Sequence, residues 1–214
     1  MNRRRVAVTG IGVIAPGGTG TDAFWKRIVS GAPATRLITT FDPAPFRSRV
    51  AAECDFEPEQ AGLTPHDAAH LDRATQFALA ATREALTDSA LPRTPDTAHR
   101  IGVSLGSAVG CTRKLESQYL AISDNGRRWL VDHTRGSDRL YDYFVPSSMA
   151  AEVAWLTGAE GPATLVSAGC TSGIDAVGYA CELIREGTVD AVITGGSDAP
   201  IAPITVACFD AIKA

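Results

Sequence analysis

The sequence predicts an α/β fold: a mostly parallel, mixed sheet with helices on both faces. Three observations carry that expectation. Short apolar runs rich in β-branched residues recur at 5–10, 101–106, 164–166 and 189–194. Amphipathic helical stretches lie between them, and this alternation builds a parallel sheet covered by helices. Small residues close the strands, at 10–18, 106–110, 167–169 and 195–196.

Taken in order, 5–10 reads as a first strand leaving through the glycine-rich 10–18. Thr21 and Asp22 cap an amphipathic helix over 23–30, ended by Gly31 and Pro33. From 35 to 63 the chain is irregular, because Pro43, Pro45 and Pro58 forbid regular structure. Thr64, Pro65 and Asp67 supply the cap, the first-turn proline and the dipole-matched acid of the longest helix, which runs to about Ser89. Its stripe Leu71, Ala74, Ala78, Ala81 and Ala85 is made of small residues suited to close packing. Residues 101–106 form the second clear strand. The more polar, helix-leaning 113–143 reads as a helical insertion near 111–145 over one end of the domain. A helix over 146–156 stops at Gly158; then come the strand at 164–166, a helix over 174–185 and the strand at 189–194.

Composition excludes several functions. With 214 residues, 45% apolar and 21% charged, the chain is a soluble, cored protein of one large domain or two small ones. A net charge of -4 gives no basic patch for nucleic acid, and Arg3, Arg4 and Arg5 are a solvated chain start rather than a binding arm. No apolar run is long enough for a membrane span, and no apolar h-region follows the first arginines. Cys54, Cys111, Cys170, Cys181 and Cys208 are scattered and odd in number, as in reduced cytoplasmic proteins rather than disulfide frameworks. His66, His70, His99 and His133 show no zinc-like spacing, so no metal is expected; His66 and His70 read as two exposed histidines on one helix face. Gly10 to Ala15 match G-x-G-x-x-A, but Pro16, Gly17 and Gly18 delay any helix and no acid stands near position 32. A tight strand-exit loop accounts for them better than a dinucleotide site.

Cys170 carries the clearest chemistry. A strand ends at Ser167, Ala168 and Gly169, the cysteine follows at once, and Thr171 or Ser172 opens a helix; the two fit a helix start and a catalytic role equally. Such a turn sets the sulfur at a helix N-terminus, where unpaired N–H groups and the macrodipole favour a thiolate. The small neighbours let the backbone turn and leave room for an acyl group. This is a cysteine counterpart of the nucleophile elbow, without Gly-x-Ser-x-Gly. The same residues also fit a small buried cysteine at a strand end, and the local pattern leaves both readings open.

Taken together, the motifs resemble those of the β-ketoacyl synthases of the thiolase-like fold. Val6-Ala-Val-Thr-Gly-Ile-Gly12 is similar to the family's opening strand and Phe41-Asp-Pro-Ala-Pro-Phe46 to its early loop. Ala168-Gly-Cys-Thr-Ser-Gly173 resembles the nucleophile motif, and Thr194-Gly-Gly-Ser-Asp198 the strand and turn after the nucleophile helix. Within the family, Arg47-Ser-Arg-Val-Ala-Ala-Glu53, Ala151-Glu-Val-Ala-Trp155 and 203–211 resemble the ketosynthase α subunit of bacterial type II (aromatic) polyketide synthases more than the fatty-acid enzymes.

The resemblance implies the N-terminal half of an αβαβα layered fold, spanning 1–214. It implies that Cys170 accepts an acyl chain from acyl carrier protein as a thioester, with its own N–H as one half of an oxyanion hole. Decarboxylation of malonyl carrier protein then drives a Claisen condensation. No cofactor is implied beyond the phosphopantetheine that carries the substrate. The implied partners are acyl carrier protein and a chain-length-factor subunit, which lacks the cysteine. The family's two catalytic histidines, its lysine and the second oxyanion N–H belong to the second half of the fold, and none of the four histidines here matches them. The chain is therefore expected to be a partial sequence or a fragment that is inactive alone. Two other readings stand beside this one: a fatty-acid elongation enzyme, and a non-catalytic scaffold subunit.

Overall fold

The computed structural model describes residues 4–213, so Arg3 lies outside the described residues. In order, β1 (Ile14–Ala15), β2 (Gly18–Thr19), α1 (Thr21–Ser30), β3 (Arg36–Leu37) and β4 (Val50–Ala51) come first. Then follow α2 (Pro65–His70), α3 (Arg73–Ser89), β5 (Ile101–Gly106), α4 (Thr112–Ile122), α5 (Leu140–Phe144) and α6 (Ser148–Thr157). The chain closes with β6 (Ala163–Val166), α7 (Ser172–Glu186), β7 (Ala191–Gly196) and α8 (Pro203–Ala211). It folds as two compact units. One takes the start of the chain to Gly12, Ala74–Gly110 and Val145–Asp198; the other takes Val13–Arg73, Cys111–Phe144 and the chain from Ala199.

The first unit holds the three-stranded sheet, ordered β6-β5-β7 and parallel throughout. Val103 stands opposite Ala163 on one side and Ile193 on the other. Every residue of β5 is buried, as a parallel strand with both faces covered must be. α7 lies on the Gly102, Ser104 and Gly106 face, where the Ser104 hydroxyl donates to the Ala176 carbonyl at 3.0 Å. α6 packs on β5 and β6 and brings Met149 and Val153 into the core. Each such fully buried side chain contributes about 1.5–3 kcal/mol. The Arg100 guanidinium pairs with the Asp190 carboxylate and donates to the carbonyls of Gly187 and Thr188, tying the start of β5 to the approach to β7. Gly158 ends α6 in a left-handed conformation, as expected, and Gly187 ends α7 in the same way.

The first expected strand does not form. Residues 5–10 join no ladder; instead Gly10 and Gly12 run against α3, where an added Cβ would meet the carbonyl oxygens of Ala85 and Ala81 at 2.2 and 1.8 Å. The glycines of the G-x-G-x-x-A match thus serve close backbone-to-helix packing. Arg4 and Arg5 are exposed, and Arg4 donates to the Ile184 carbonyl in the last turn of α7, where a cation suits the dipole.

The second unit corrects three further expectations. Gly20, not Thr21 or Asp22, is the N-cap of α1. The irregular region contains the β3–β4 pair, extended by a bond from the Ile38 N–H to the Arg49 carbonyl at 3.0 Å. The long helix breaks in two, with Leu71 extended (φ -86°, ψ 147°) between α2 and α3. Leu71 and Asp72 are buried there, and the Asp72 carboxylate accepts the Lys114 N–H at 2.8 Å. A buried carboxylate needs such donors, and a straight helix would not aim it at one. Thr64 and Asp67 do form a full capping box on α2. Among the described residues no helix is long and apolar enough to cross a membrane.

Candidate active site

The three parallel strands end on one side of the sheet, the end at which open α/β sheets place their sites. β6 stops at Val166, Gly169 turns through a left-handed φ of 69°, and Cys170 stands exposed two residues before α7. Exposure removes the reading of Cys170 as a buried strand-end residue. The sulfur sits just outside the N-cap, Thr171, at the positive end of the helix.

Buried Ser172 locks this turn. Its hydroxyl donates to the Gly169 carbonyl at 2.6 Å and accepts the Ala168 N–H at 2.9 Å, while its own N–H reaches the Gly169 carbonyl at 3.1 Å. Thr171 makes no side-chain cap; its hydroxyl donates to the Asp175 carboxylate at 2.7 Å. The helix start presses directly on the sheet. A Cβ on Gly106 would lie 2.2 Å from the Ser172 carbonyl oxygen, and one on Gly196 would lie 2.9 Å from the Gly173 Cα. Only glycine permits backbone to approach backbone this closely.

The loop after β5 is held by a carboxylate. Asp198 accepts from the Ser107 hydroxyl and from the N–H groups of Ala108 and Val109. Sequence reasoning placed Cys170, left Ser172 between a helix-start and a catalytic role, and gave Asp198 no part. The serine's spacing, five residues after Ser167 and two after the cysteine, carries no signal of which backbone groups it meets.

Other sequence candidates lie elsewhere. Cys208 is exposed, Cys111 is buried, Cys54 and Cys181 are half-buried, and all five cysteines are free thiols. In the second unit, His66 and His70 do share a face, stacked at 4.2 Å with His70 Nδ1 2.9 Å from the His66 carbonyl. Among the described residues no group of three or more His, Cys, Asp or Glu is placed to hold a metal. Glu116 accepts the Ile204 N–H at the start of α8, at 2.9 Å. Tyr119 lines an apolar groove with Leu115, Ile122, Leu140, Tyr141 and Phe144, and Asp124 takes a left-handed turn.

Comparison with known proteins gives this geometry a context. Residues 3–214 match the family described as β-ketoacyl synthase, N-terminal domain. The chain is 59% identical over 211 residues to the tetracenomycin polyketide synthase ketoacyl synthase alpha subunit of Streptomyces glaucescens, covering 99% of this chain and 50% of that protein. To the 3-oxoacyl-[acyl-carrier-protein] synthase 2 of Vibrio cholerae it is 32% identical, covering 100% of this chain and 50% of that one. The chain thus spans about half the length of the curated relatives it matches. Among solved structures, it matches a type II polyketide synthase acyl-carrier protein in complex with its ketosynthase bound to the hexaketide, with a TM-score of 0.84 and 31% identity, over 99% of this chain and 49% of that one. It also matches the ishigamide ketosynthase/chain length factor, with a TM-score of 0.82 and 30% identity, over 99% of this chain and 51% of that one. Both are thiolase-like ketosynthases, and the α/β fold described above is the N-terminal half of theirs. On these grounds the chain belongs to the β-ketoacyl synthase family.

Proposed function

We propose that Cys170 is the acyl-accepting nucleophile of a β-ketoacyl synthase that extends chains for an aromatic polyketide. The observation that carries this reading is an exposed thiol on a rigid strand-to-helix turn, held by Ser172 and seated on glycines of two neighbouring strands. The thiolate attacks the thioester carbonyl of an acyl carrier protein substrate. The Cys170 N–H stabilises the tetrahedral oxyanion, and the phosphopantetheine thiol leaves. Malonyl carrier protein then loses carbon dioxide, and its carbanion equivalent attacks the acyl-cysteine, releasing the Cys170 thiol and forming the β-keto product.

The polyketide branch is favoured over fatty-acid elongation by 59% against 32% identity over nearly the same length of this chain. Residues 1–214 form one N-terminal domain in this reading, with 111–145 as its helical insertion. The departure of Cys111–Phe144 from the sheet unit supports that division. Acyl carrier protein and a chain-length factor are the partners. Solved structures of related ketosynthases with each support the pairing. The reaction needs no cofactor besides the phosphopantetheine on the carrier, and its setting is the cytoplasm.

Iodoacetamide labelling followed by peptide mapping tests the nucleophile. Cys208 is as plainly exposed as Cys170, so it reports access without activation. Faster labelling of Cys170 than of Cys208 supports the reading. Equal rates would favour a non-catalytic scaffold.

A further inference from the structure

Asp198 directly follows Ser197 at the end of β7, and its carboxylate closes a ring of donors. Oδ1 accepts from the Ser107 hydroxyl at 2.8 Å and from the N–H groups of Ala108 and Val109, each at 3.1 Å. Oδ2 accepts the same Ala108 N–H at 3.0 Å. The Ser107 hydroxyl in turn accepts the Gly110 N–H at 2.8 Å, and Gly110 takes a φ of 60°. Successive N–H groups converging on one anion form a nest. Here the chain's own carboxylate fills it.

The other side of this loop is fastened to the cysteine turn. The Ser107 N–H donates to the carbonyl of Val166, the last residue of β6, at 3.1 Å. At Gly106 the Ser172 backbone passes where a Cβ would lie. β7 joins the same corner through the Ser197 N–H, which donates to the Gly106 carbonyl at 3.0 Å, and through Gly196 against Gly173. The backbone beneath Cys170 is therefore braced by the 106–110 segment. That segment is held in turn by one charged side chain from just beyond β7.

The geometry points to Asp198 as a positioning residue for acyl transfer: by filling the nest it fixes the loop that braces the Cys170 turn. It touches neither thiol nor substrate and acts through backbone. This role rests on the reading of Cys170 as the acyl acceptor. Without the carboxylate, the Ala108 and Val109 N–H groups and the Ser107 hydroxyl lose their acceptor, and the loop must rearrange to satisfy them.

The test compares Asp198→Ala and Asp198→Asn with the unaltered protein, using iodoacetamide labelling of all five cysteines and hydrogen exchange. Asn is the conservative variant: its amide oxygen at the Oδ1 position keeps the bonds from Ser107, Ala108 and Val109, and only the second Ala108 bond, to Oδ2, is lost. In Asp198→Ala the ratio of Cys170 to Cys208 labelling is expected to fall by about tenfold, the scale on which small displacements of reacting groups act. The 108 and 109 amides exchange faster there, while buried Cys111 stays protected. Asp198→Asn stays within about threefold of the unaltered ratio, since the Oδ1 bonds are retained. An unchanged ratio in Asp198→Ala overturns the inference. So does a general loss of protection that also exposes Cys111, which is a merely structural effect. If the unaltered protein shows no preference for Cys170 over Cys208, the nucleophile reading fails separately. Exchange then decides the clamp: faster exchange at 108 and 109 in Asp198→Ala upholds it, and unchanged exchange overturns it.

Discussion

The turn at 167–173 and the hairpin at 36–53 both hold irregular backbone in a fixed shape, by different chemistry. At the turn the lock is neutral: one buried serine hydroxyl, with glycines that let main chain meet main chain. At the hairpin it is ionic. Buried Glu53 accepts the Thr39 N–H at 3.0 Å, the Thr39 hydroxyl at 2.8 Å and the Thr40 N–H at 3.2 Å, and pairs with Arg36 at 3.3 Å. Burial alone would push the Glu53 carboxyl up, but the Thr39, Arg36 and Thr40 donors together outweigh it and bring it down to about 2. The serine lock has no titrating group of its own, and it leaves the cysteine beside it as the chemically distinct group. An ionic lock is strong at neutral pH and gives way in acid.

The largest expected effect separates the two regions by activity. Cys170→Ala in the assembled synthase should lower acyl transfer by at least about a thousandfold. Because the thiol is exposed in this chain, melting of the chain by itself should move by no more than about 0.5 kcal/mol. Retained transfer would remove the turn's claim to chemistry.

Gly106→Ala should cost about 3 kcal/mol or more, since the new methyl meets the Ser172 carbonyl oxygen at 2.2 Å with backbone on both sides. Hydrogen exchange should rise at 168–173 and stay unchanged at 36–40. A rise at both places would mean that the glycine contact is not local to the turn.

Acid should act on the hairpin through Glu53. The folded Glu53 carboxyl, at about 2, lies below its ordinary 4.5. Its stabilisation is therefore complete above about 4.5 and is lost as the pH falls toward 2. The contribution at neutral pH is at most about 3 kcal/mol. Exchange at 39 and 40 should accelerate through that window in the unaltered protein, whereas in Glu53→Gln it should be fast already at neutral pH. Unchanged exchange at 39 and 40 through that window would remove the ionic lock.

The smallest effect marks the background. The Glu182–Arg185 pair on the outside of α7 spans 2.6 Å but is solvent-exposed on both sides. Glu182→Ala should change stability by no more than about 0.5 kcal/mol. A larger loss by thermal melting would show that charge also holds the helix behind the turn.

How much of this was legible from residues alone depended on how local the cause was. β5, α6 up to Gly158, and the passage from β6 through Cys170 into α7 were all readable, because apolar runs, a helix-ending glycine and a small-residue turn act within a few positions. The strand expected at 5–10 failed because Gly10, at its end, packs on Ala85 of a distant helix. The single helix expected from Thr64 to Ser89 failed because Asp72 answers to the Lys114 N–H. In both places a distant partner overrode a correct local preference. Glu53 showed the same limit: its motif resembled a family loop, but its role as an ionic lock needed Arg36, Thr39 and Thr40 brought around it.

For the site, sequence by itself determined that a cysteine would stand between a strand and a helix, since residue types and spacing dictate that turn. Tertiary structure alone decided that the thiol is exposed and what holds the turn beneath it. Ser172 reaches backward to Ala168 and Gly169, and Gly106 and Gly196 make room for the helix start. Asp198, nearly thirty residues beyond the cysteine, fills the neighbouring nest. The physical reason is range. Chain direction and helix polarity are set by neighbours in sequence. Exposure, close backbone contact and hydrogen-bond satisfaction are set by whatever the fold brings alongside.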